Sequence, residues 1–484
     1  MPKYATIPHM NTKHYIAIDL GAESGRVMLG SVSEARIELT EIHRFLNLPV
    51  HIPTNSPNGS LHWNILELWR EIKTGINKAA TAANAPIAGI GVDTWGVDFA
   101  LLDKNLQLLA NPVSYRDPRT TDIAESVFAK IPREKLYRLT GIQTLPINTL
   151  FQLATLINSP QLAAASHIVF LPDLLTFWLT GKLATEYTIA STSQMLDATT
   201  RQFSPEILQA VGIPNLFPPI DLPGTVRGNV LPSVNASLVG TPVIAVGSHD
   251  TASAVAAVPA QGDDWLYLSS GTWSLLGAEI DQPILTPAAA ACNATNEGGL
   301  NNTIRLLKNI PGLWLLQECR RSWAAQGQSF DYAQLTNLAA SAKPNTALLD
   351  LSDPVFSTPG DMPQKITTHC QRTNQPIPTT PGEFTRIILE SLAATYAKVA
   401  NELERLTSRK FTTLHIVGGG SQNKLLNQLA ADATDLTVHA GPIEATAMGN
   451  ILAQAIATGT IPNLPAARTL IARSFEPQVF SPCC

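Results

Sequence analysis

The chain has 484 residues, of which 33 are basic and 38 acidic, for a formal net charge of −5, and 45% of it is hydrophobic. At roughly 150 residues per domain this length allows about two to four domains, with apolar content for more than one core. Charged residues are only 15% and form no basic block or stripe, which excludes intrinsic disorder and a nucleic-acid partner, while the most apolar stretch, Thr241 to Pro259, is broken by His249 and Asp250 and so excludes a membrane span.

Residues 1–13 read as a leader without a signal-peptide core, since Lys13 and His14 precede only four apolar residues before Asp19. The first strand is predicted over Tyr15–Ile18, followed by a turn of small residues, Asp19-Leu20-Gly21-Ala22-Glu23-Ser24-Gly25, and a returning strand, Arg26–Leu29. Asn64 and Glu67 stand in N-cap and N3 positions of a helix whose buried stripe is Ile65, Leu68, Trp69, Ile72 and Ile76. A strand from Ile87 to Val92 runs into Asp93-Thr94-Trp95-Gly96. About 250 residues after the first hairpin the pattern partly repeats: Trp265–Leu268, a turn at Ser269-Ser270-Gly271-Thr272, then Trp273–Leu276. Thr380-Pro381-Gly382-Glu383 is a capping box with proline at N1, opening a helix with the stripe Phe384, Ile388, Leu392, Tyr396, Val399, Leu403 and Leu406. Strand Leu414–Val417 meets Gly418-Gly419-Gly420 and leads to a helix carrying Leu425, Leu426 and Leu429. Proline-rich stretches at 214–223 and 354–381 read as loops. The alternation of strands and helices predicts an α/β protein with a boundary near 255–263. Five cysteines show no C-x-x-C pair or metal-type spacing, so a reducing compartment, most simply the cytoplasm, is expected.

No Walker A, G-x-S-x-G or H-E-x-x-H sequence is present. What remains is a set of small-residue turns at strand ends. Glycines let backbone N–H groups approach a phosphate chain, and Asp19 could hold Mg²⁺ through water; a plain tight hairpin accounts for the same residues equally well. Ser269–Thr272 offers hydroxyl and N–H donors in the same geometry, so the two turns could grip one polyphosphate from both sides. Gly418–Gly420 allows a flat base and ribose to lie against backbone, or serves as a flexible connection. In Gly247-Ser248-His249-Asp250-Thr251 a carboxylate at a strand end could take a proton from a substrate hydroxyl, or cap the helix that follows. Trp95 and the polar residues around it suit a sugar ring; core packing explains Trp95 alone, and a capped turn explains Asp98.

These turns, in this order, resemble the FGGY carbohydrate kinases, and several long motifs are similar to the branch of that family acting on L-rhamnulose: Asp93–Asp98, Tyr115-Arg116-Asp117, Ser248–Val255, Asn296–Gly299, Leu306–Ile310, Gly312–Glu318 and Gly441–Ala445. The resemblance covers roughly residues 14–475. It implies two ribonuclease-H-like domains of the actin-like ATPase fold around a central cleft, an N-terminal domain over 14–258 on the sugar and phosphate side, a C-terminal domain over 259–475 on the nucleotide side, and a tail at 476–484. It also implies ATP-dependent phosphorylation of L-rhamnulose at its C1 hydroxyl. Asp250 would then be the general base, with Gly96, His249 and Thr251 on the sugar. Ala22, Glu23, Ser24, Gly25, Arg26, Thr272, Asn309, Gln317, Gly418, Gly419 and Gly420 would hold ATP, and Asp19 would support Mg²⁺. Glu23, where the wider family carries small residues, must point away from phosphate or be screened by Arg26. The alternatives are a kinase for another deoxy-ketose such as L-fuculose, and a non-catalytic actin-like module that binds nucleotide.

Overall fold

A computed structural model describes residues 12–54, 59–344 and 346–483. Most of the expected leader, residues 1–11, lies outside the described residues, and Lys13 already belongs to the first strand. In chain order the elements that position the site are β1 (Lys13–Leu20), β2 (Ser24–Val32), β3 (Ile37–Leu46), α1 (Ile65–Ala83), β4 (Ile87–Thr94), β5 (Val226–Asn229), β6 (Pro242–Ile244) and α2 (Asp250–Ala256). The second half supplies β7 (Trp265–Ser270), β8 (Trp273–Ile280), β9 (Thr295–Gly298), β10 (Ile304–Pro311), α3 (Trp314–Ala325), α4 (Met362–Arg372) and α5 (Pro381–Thr407). It ends with β11 (Thr413–Val417), α6 (Lys424–Thr434), β12 (Thr437–Ala440), α7 (Ala445–Ala457) and β13 (Gln478–Phe480).

The strands form two principal sheets, ordered β5-β6-β4-β1-β2-β3 and β9-β10-β8-β7-β11-β12-β13. Each sheet has the same centre. A strand (β1 or β7) pairs antiparallel with the next in sequence (β2 or β8) and parallel with one reached by a long crossover (β4 or β11). Both crossovers carry an amphipathic helix. In α1 the Asn64 side chain accepts from the Glu67 N–H, and Ile65, Ile72 and Ile76 are fully buried, each contributing roughly 1.5–3 kcal/mol of burial. In α5 the capping box is reciprocal, Thr380 with the Glu383 backbone and Glu383 with the Thr380 backbone, and the stripe from Phe384 to Leu403 is buried.

Two expectations are corrected. The stretch 354–381 contains α4, because Asp361 caps it, Pro363 falls in the first turn where proline costs nothing, and Ile366 and Cys370 are buried. Residues 478–480, expected in a tail, pair with β12 at the sheet edge.

The two halves are joined by more than a linker. Helix α7 follows the last parallel strand of the second half yet packs on α2 and on β1 and β4 of the first sheet. The approach is close: a Cβ on Gly449 would lie 1.7 Å from the Ser253 carbonyl oxygen, so only glycine fits. From α7, Asn450 donates to Asp93 at 2.6 Å and Gln454 to the Ile16 carbonyl at 3.0 Å.

Candidate active site

Parallel pairing of β1 with β4 puts Asp19 opposite Asp93, and the chain at 248–249 continues alongside, with Thr94 N–H donating to the Ser248 carbonyl. Asp19, Asp93 and Asp250 therefore lie near enough at the mouth of the first sheet for their charges to act on one another. Burial, then the Asp19 charge, holds Asp93 well above the usual carboxylate range, and its Oδ1 is buried with no hydrogen-bond partner. Asp250 opens α2. Its Oδ1 accepts from the Thr251 N–H at 2.6 Å and from the Thr251 hydroxyl at 3.1 Å, with His249 Nε2 at 3.4 Å. Burial lifts its carboxyl above the ordinary value and His249 opposes the rise, a direction that suits a proton acceptor.

The first hairpin turn is built as an N–H donor. Gly21 N–H donates to the Ser24 carbonyl, while Asn47 donates from its backbone to the Glu23 carbonyl and from its side chain to the Gly21 carbonyl. Among the described residues nothing accepts from the N–H of Ala22 or Glu23. Arg26 bridges Asp19, at 2.5 Å, and Glu444 from the other half. It is therefore not the screen for Glu23; that carboxylate turns to Arg321 at 2.9 Å. In the second hairpin the Thr272 carbonyl accepts from Gly312 and Trp314 N–H, and Gln317 donates to the Thr272 hydroxyl at 3.3 Å.

One cleft between the halves is lined by Asp19, Ala22, Ser24 and Arg26 on one side, and by Thr272, Asn309, Gly418 and Gly419 on the other. Gly96, His249, Asp250 and Thr251 lie along it as well. Four expected site residues sit behind that lining. Gly25 packs under Phe45, Gly420 against Ser270, Gln317 supports Thr272, and Glu23 faces Arg321. In the glycine turn, Gly418 has a φ of +85°, whereas a Cβ on Gly419 would meet nothing within 4 Å.

Trp95 also borders the cleft but is almost wholly buried, packed against Trp63 with ring centroids 4.3 Å apart and the ring planes tilted by 45°. Asp98 does more than cap a turn: its Oδ2 accepts from Trp63 and Trp95 indoles and from the Tyr115 N–H, and its Oδ1 from Gln152. Sequence reasoning missed Asn47 and Gln143. Gln143 Oε1 accepts from Asn309 N–H and Nδ2 at 2.9 and 3.1 Å, tying an irregular segment of the first half to β10 of the second. Neither residue lies in a periodic segment or a motif, so no local signal marks it.

Residues 14–257 match the N-terminal domain of the FGGY family of carbohydrate kinases, and residues 266–458 match that family's C-terminal domain. The chain belongs to the FGGY family. It is 45% identical over 475 residues to a rhamnulokinase of Bacteroides thetaiotaomicron, covering 97% of this chain and 96% of that protein. It is 43% identical to a rhamnulokinase of Enterococcus faecalis, with 96% and 94% covered. Its fold is that of a ligand-bound xylulose kinase from Lactobacillus acidophilus, with a TM-score of 0.80 at 17% identity over 97% of this chain and 94% of that one. This FGGY protein is thus a carbohydrate kinase of the two-domain actin-like ATPase fold, with ATP and a sugar as substrates.

Proposed function

We propose that this FGGY kinase transfers the γ-phosphoryl group of ATP to the C1 hydroxyl of L-rhamnulose, giving L-rhamnulose 1-phosphate and ADP. The observation that carries the reading is identity above 40% along nearly the whole chain with proteins named rhamnulokinase. Residues 14–258 form the sugar and phosphate side and 259–475 the nucleotide side. Asp250 takes the hydroxyl proton as the sugar oxygen attacks phosphorus in line and the bond to the ADP oxygen breaks; phosphoryl transfer asks mainly for positioning and charge neutralisation. His249, Thr251 and Gly96 hold the sugar beside it. The two hairpin turns cradle the phosphates, and the Gly418–Gly420 turn receives the nucleoside, with Asn309 and Gln317 in support.

Mg²⁺ fits the residues present. Among the described residues no three His, Cys, Asp or Glu side chains converge as a preformed cage. Mg²⁺, however, keeps several waters and takes one or two carboxylates plus substrate phosphates. Asp19 and Asp93, the latter with an unpartnered buried oxygen, are such carboxylates. When bound, the ion supplies charge neutralisation for the transferring phosphoryl group. The working compartment is the cytoplasm, where ATP is made and buried thiols such as Cys319 and Cys370 stay reduced.

A coupled assay of ADP release with L-rhamnulose, with L-fuculose and with no sugar tests the reading. Release that requires L-rhamnulose supports it. Equal or faster turnover of L-fuculose, or release independent of sugar, overturns it.

A further inference from the structure

The main chain that delivers Asp250 to the cleft is held by residues that never touch the cleft. Residues 247–249 lead directly into α2. The Gly247 carbonyl accepts from the Ser253 hydroxyl at 2.7 Å, the Ser248 carbonyl from the Thr94 N–H at 2.9 Å, and the His249 carbonyl from the Ala252 N–H at 2.7 Å. Those donors belong to α2 itself and to β4. The two N–H groups go to a different element: Ser248 donates to Glu186 Oε2 and His249 to the Thr188 hydroxyl, each at 3.2 Å. Glu186 and Thr188 are fully buried and lie outside the cleft lining. The ring of His249 is held separately, by Glu297 and Arg305 of the second half, so the first half locates its main chain and the second its side chain.

A backbone N–H can only donate, so Thr188 Oγ1 accepts from His249 and its one proton is free for Glu186 Oε2, which lies 2.5 Å away. Glu186 also accepts from the Thr188 and Ile189 N–H groups at 2.8 and 3.0 Å, capping the short helix Tyr187–Ser191. It is anchored in turn: its own N–H donates to the Asp173 carboxylate, which pairs with the buried Arg227 on β5. Capping that helix needs neither the Thr188 hydroxyl nor Ser248, so the two bonds to 248–249 are additional to it. The bonds that Asp250 makes itself run to Thr251, the next residue of the same helix, and therefore do not register the carboxylate against the rest of the first half. We propose that Thr188, held by Glu186, is a positioning residue for phosphoryl transfer: its hydroxyl fixes the His249 main chain and so sets where the carboxylate of Asp250, one residue on, stands relative to the sugar hydroxyl. The proposal rests on Asp250 acting as the base.

Two variants of the full-length protein separate the hydroxyl from the rest of the side chain. Thr188→Val keeps the shape and removes the hydroxyl; Thr188→Ser keeps the hydroxyl and removes a methyl group. With folding checked by thermal melting, kcat is expected to fall ~10–100-fold in Thr188→Val, as for a misplaced reactive group, with the KM for ATP within about twofold. Thr188→Ser should stay within about threefold of wild type in kcat. Amide exchange over 248–250, read by mass spectrometry, should be faster in Thr188→Val than in Thr188→Ser. In an Asp250→Asn background the valine variant should cost less than about twofold, because the group it positions no longer takes the proton. If Thr188→Val does not fold, Thr188→Cys, whose sulfur is only a weak acceptor, replaces it in the same comparison with serine. Near-normal kcat without the hydroxyl, equal losses in the valine and serine variants, or costs that multiply independently of Asp250→Asn would each overturn the proposal while the base reading stands. Full turnover in Asp250→Asn alone would remove the base reading, and the positioning role with it.

Discussion

Replacing Asp250 by asparagine isolates proton acceptance from everything else that side chain does. In the structure Oδ1 carries the hydrogen bonds from the Thr251 N–H and hydroxyl, and an amide oxygen can keep both. Losing a negative charge from the first turn of α2 costs about 0.3–1 kcal/mol of helix-dipole interaction. Against that, the variant no longer buries a charge beside Asp19, the two effects that raise the Asp250 carboxyl. Net stability should therefore stay within about 1 kcal/mol of wild type. Turnover should not: the loss of a positioned base is expected to lower kcat by ~10²–10⁴, with the KM for sugar changing much less, because the hydrogen-bonding outline persists. Thermal melting and steady-state ADP release on the same preparation give both numbers. A folded variant with near-normal kcat would refute the base assignment and leave Asp250 as a helix-terminal residue.

Gly419→Val should fold like the wild type, since its Cβ would meet nothing within 4 Å, yet lose ATP affinity in calorimetric titration; Gly420→Val should destabilise instead, because its Cβ would lie 2.0 Å from Ser270 Oγ. Unchanged ATP affinity in Gly419→Val would remove this turn from the nucleotide site. Burial alone would raise the Glu297 carboxyl, but His249 and the Arg305 guanidinium more than offset it and hold it at about 2. Its contribution is then present above the unfolded value of about 4.5 and lost as pH falls toward 2, about 3 kcal/mol in all, so Glu297→Gln should flatten the acid limb of a stability–pH curve over that interval. Because Glu23 pairs with Arg321 away from the cleft lining, Glu23→Ala should leave the KM for ATP within about threefold. A fall in KM beyond that would show Glu23 repelling phosphate. Sugar and a non-hydrolysable ATP analogue together should reduce the radius in solution scattering more than either alone, on the reading that closure adds contacts to each ligand; an unchanged curve would mean a preformed cleft.

What the sequence made legible was whatever is local. The hairpin at Asp19–Arg26, the N-cap at Asn64 and the capping box at Thr380 depend on residues within a few positions of one another, and each forms where its residues predict. Helix α4 was hidden because prolines at 354, 359 and 363 read as loop, although a proline in a first turn is helix-compatible. The site was legible only in part for the same reason. Asn47, Gln143, Asn450 and Arg305 act over separations of 26 to 357 residues, and each is an ordinary polar residue in its own neighbourhood. Nothing within a few positions of Arg305 announces a histidine 56 residues earlier as its partner.

The shared strand order of the two sheets explains why the cleft falls where it does. In each half the functional turns follow the two central parallel strands: Asp19 at the end of β1 and Asp93 near the end of β4 in one, Ser270 at the end of β7 and Gly418 just past β11 in the other. Parallel neighbours end on the same side of a sheet, which is where α/β proteins place ligands. The first half fills that edge with carboxylates and the second with hydroxyls and glycines, so a charged phosphate chain and its cation suit one wall and a flat nucleoside the other. The connections that bind the walls, Arg26 to Glu444, Gln143 to Asn309, and His249 to Arg305, all cross between halves at this edge. Motion of one half against the other at this edge therefore changes these contacts, and with them the chemistry of the site.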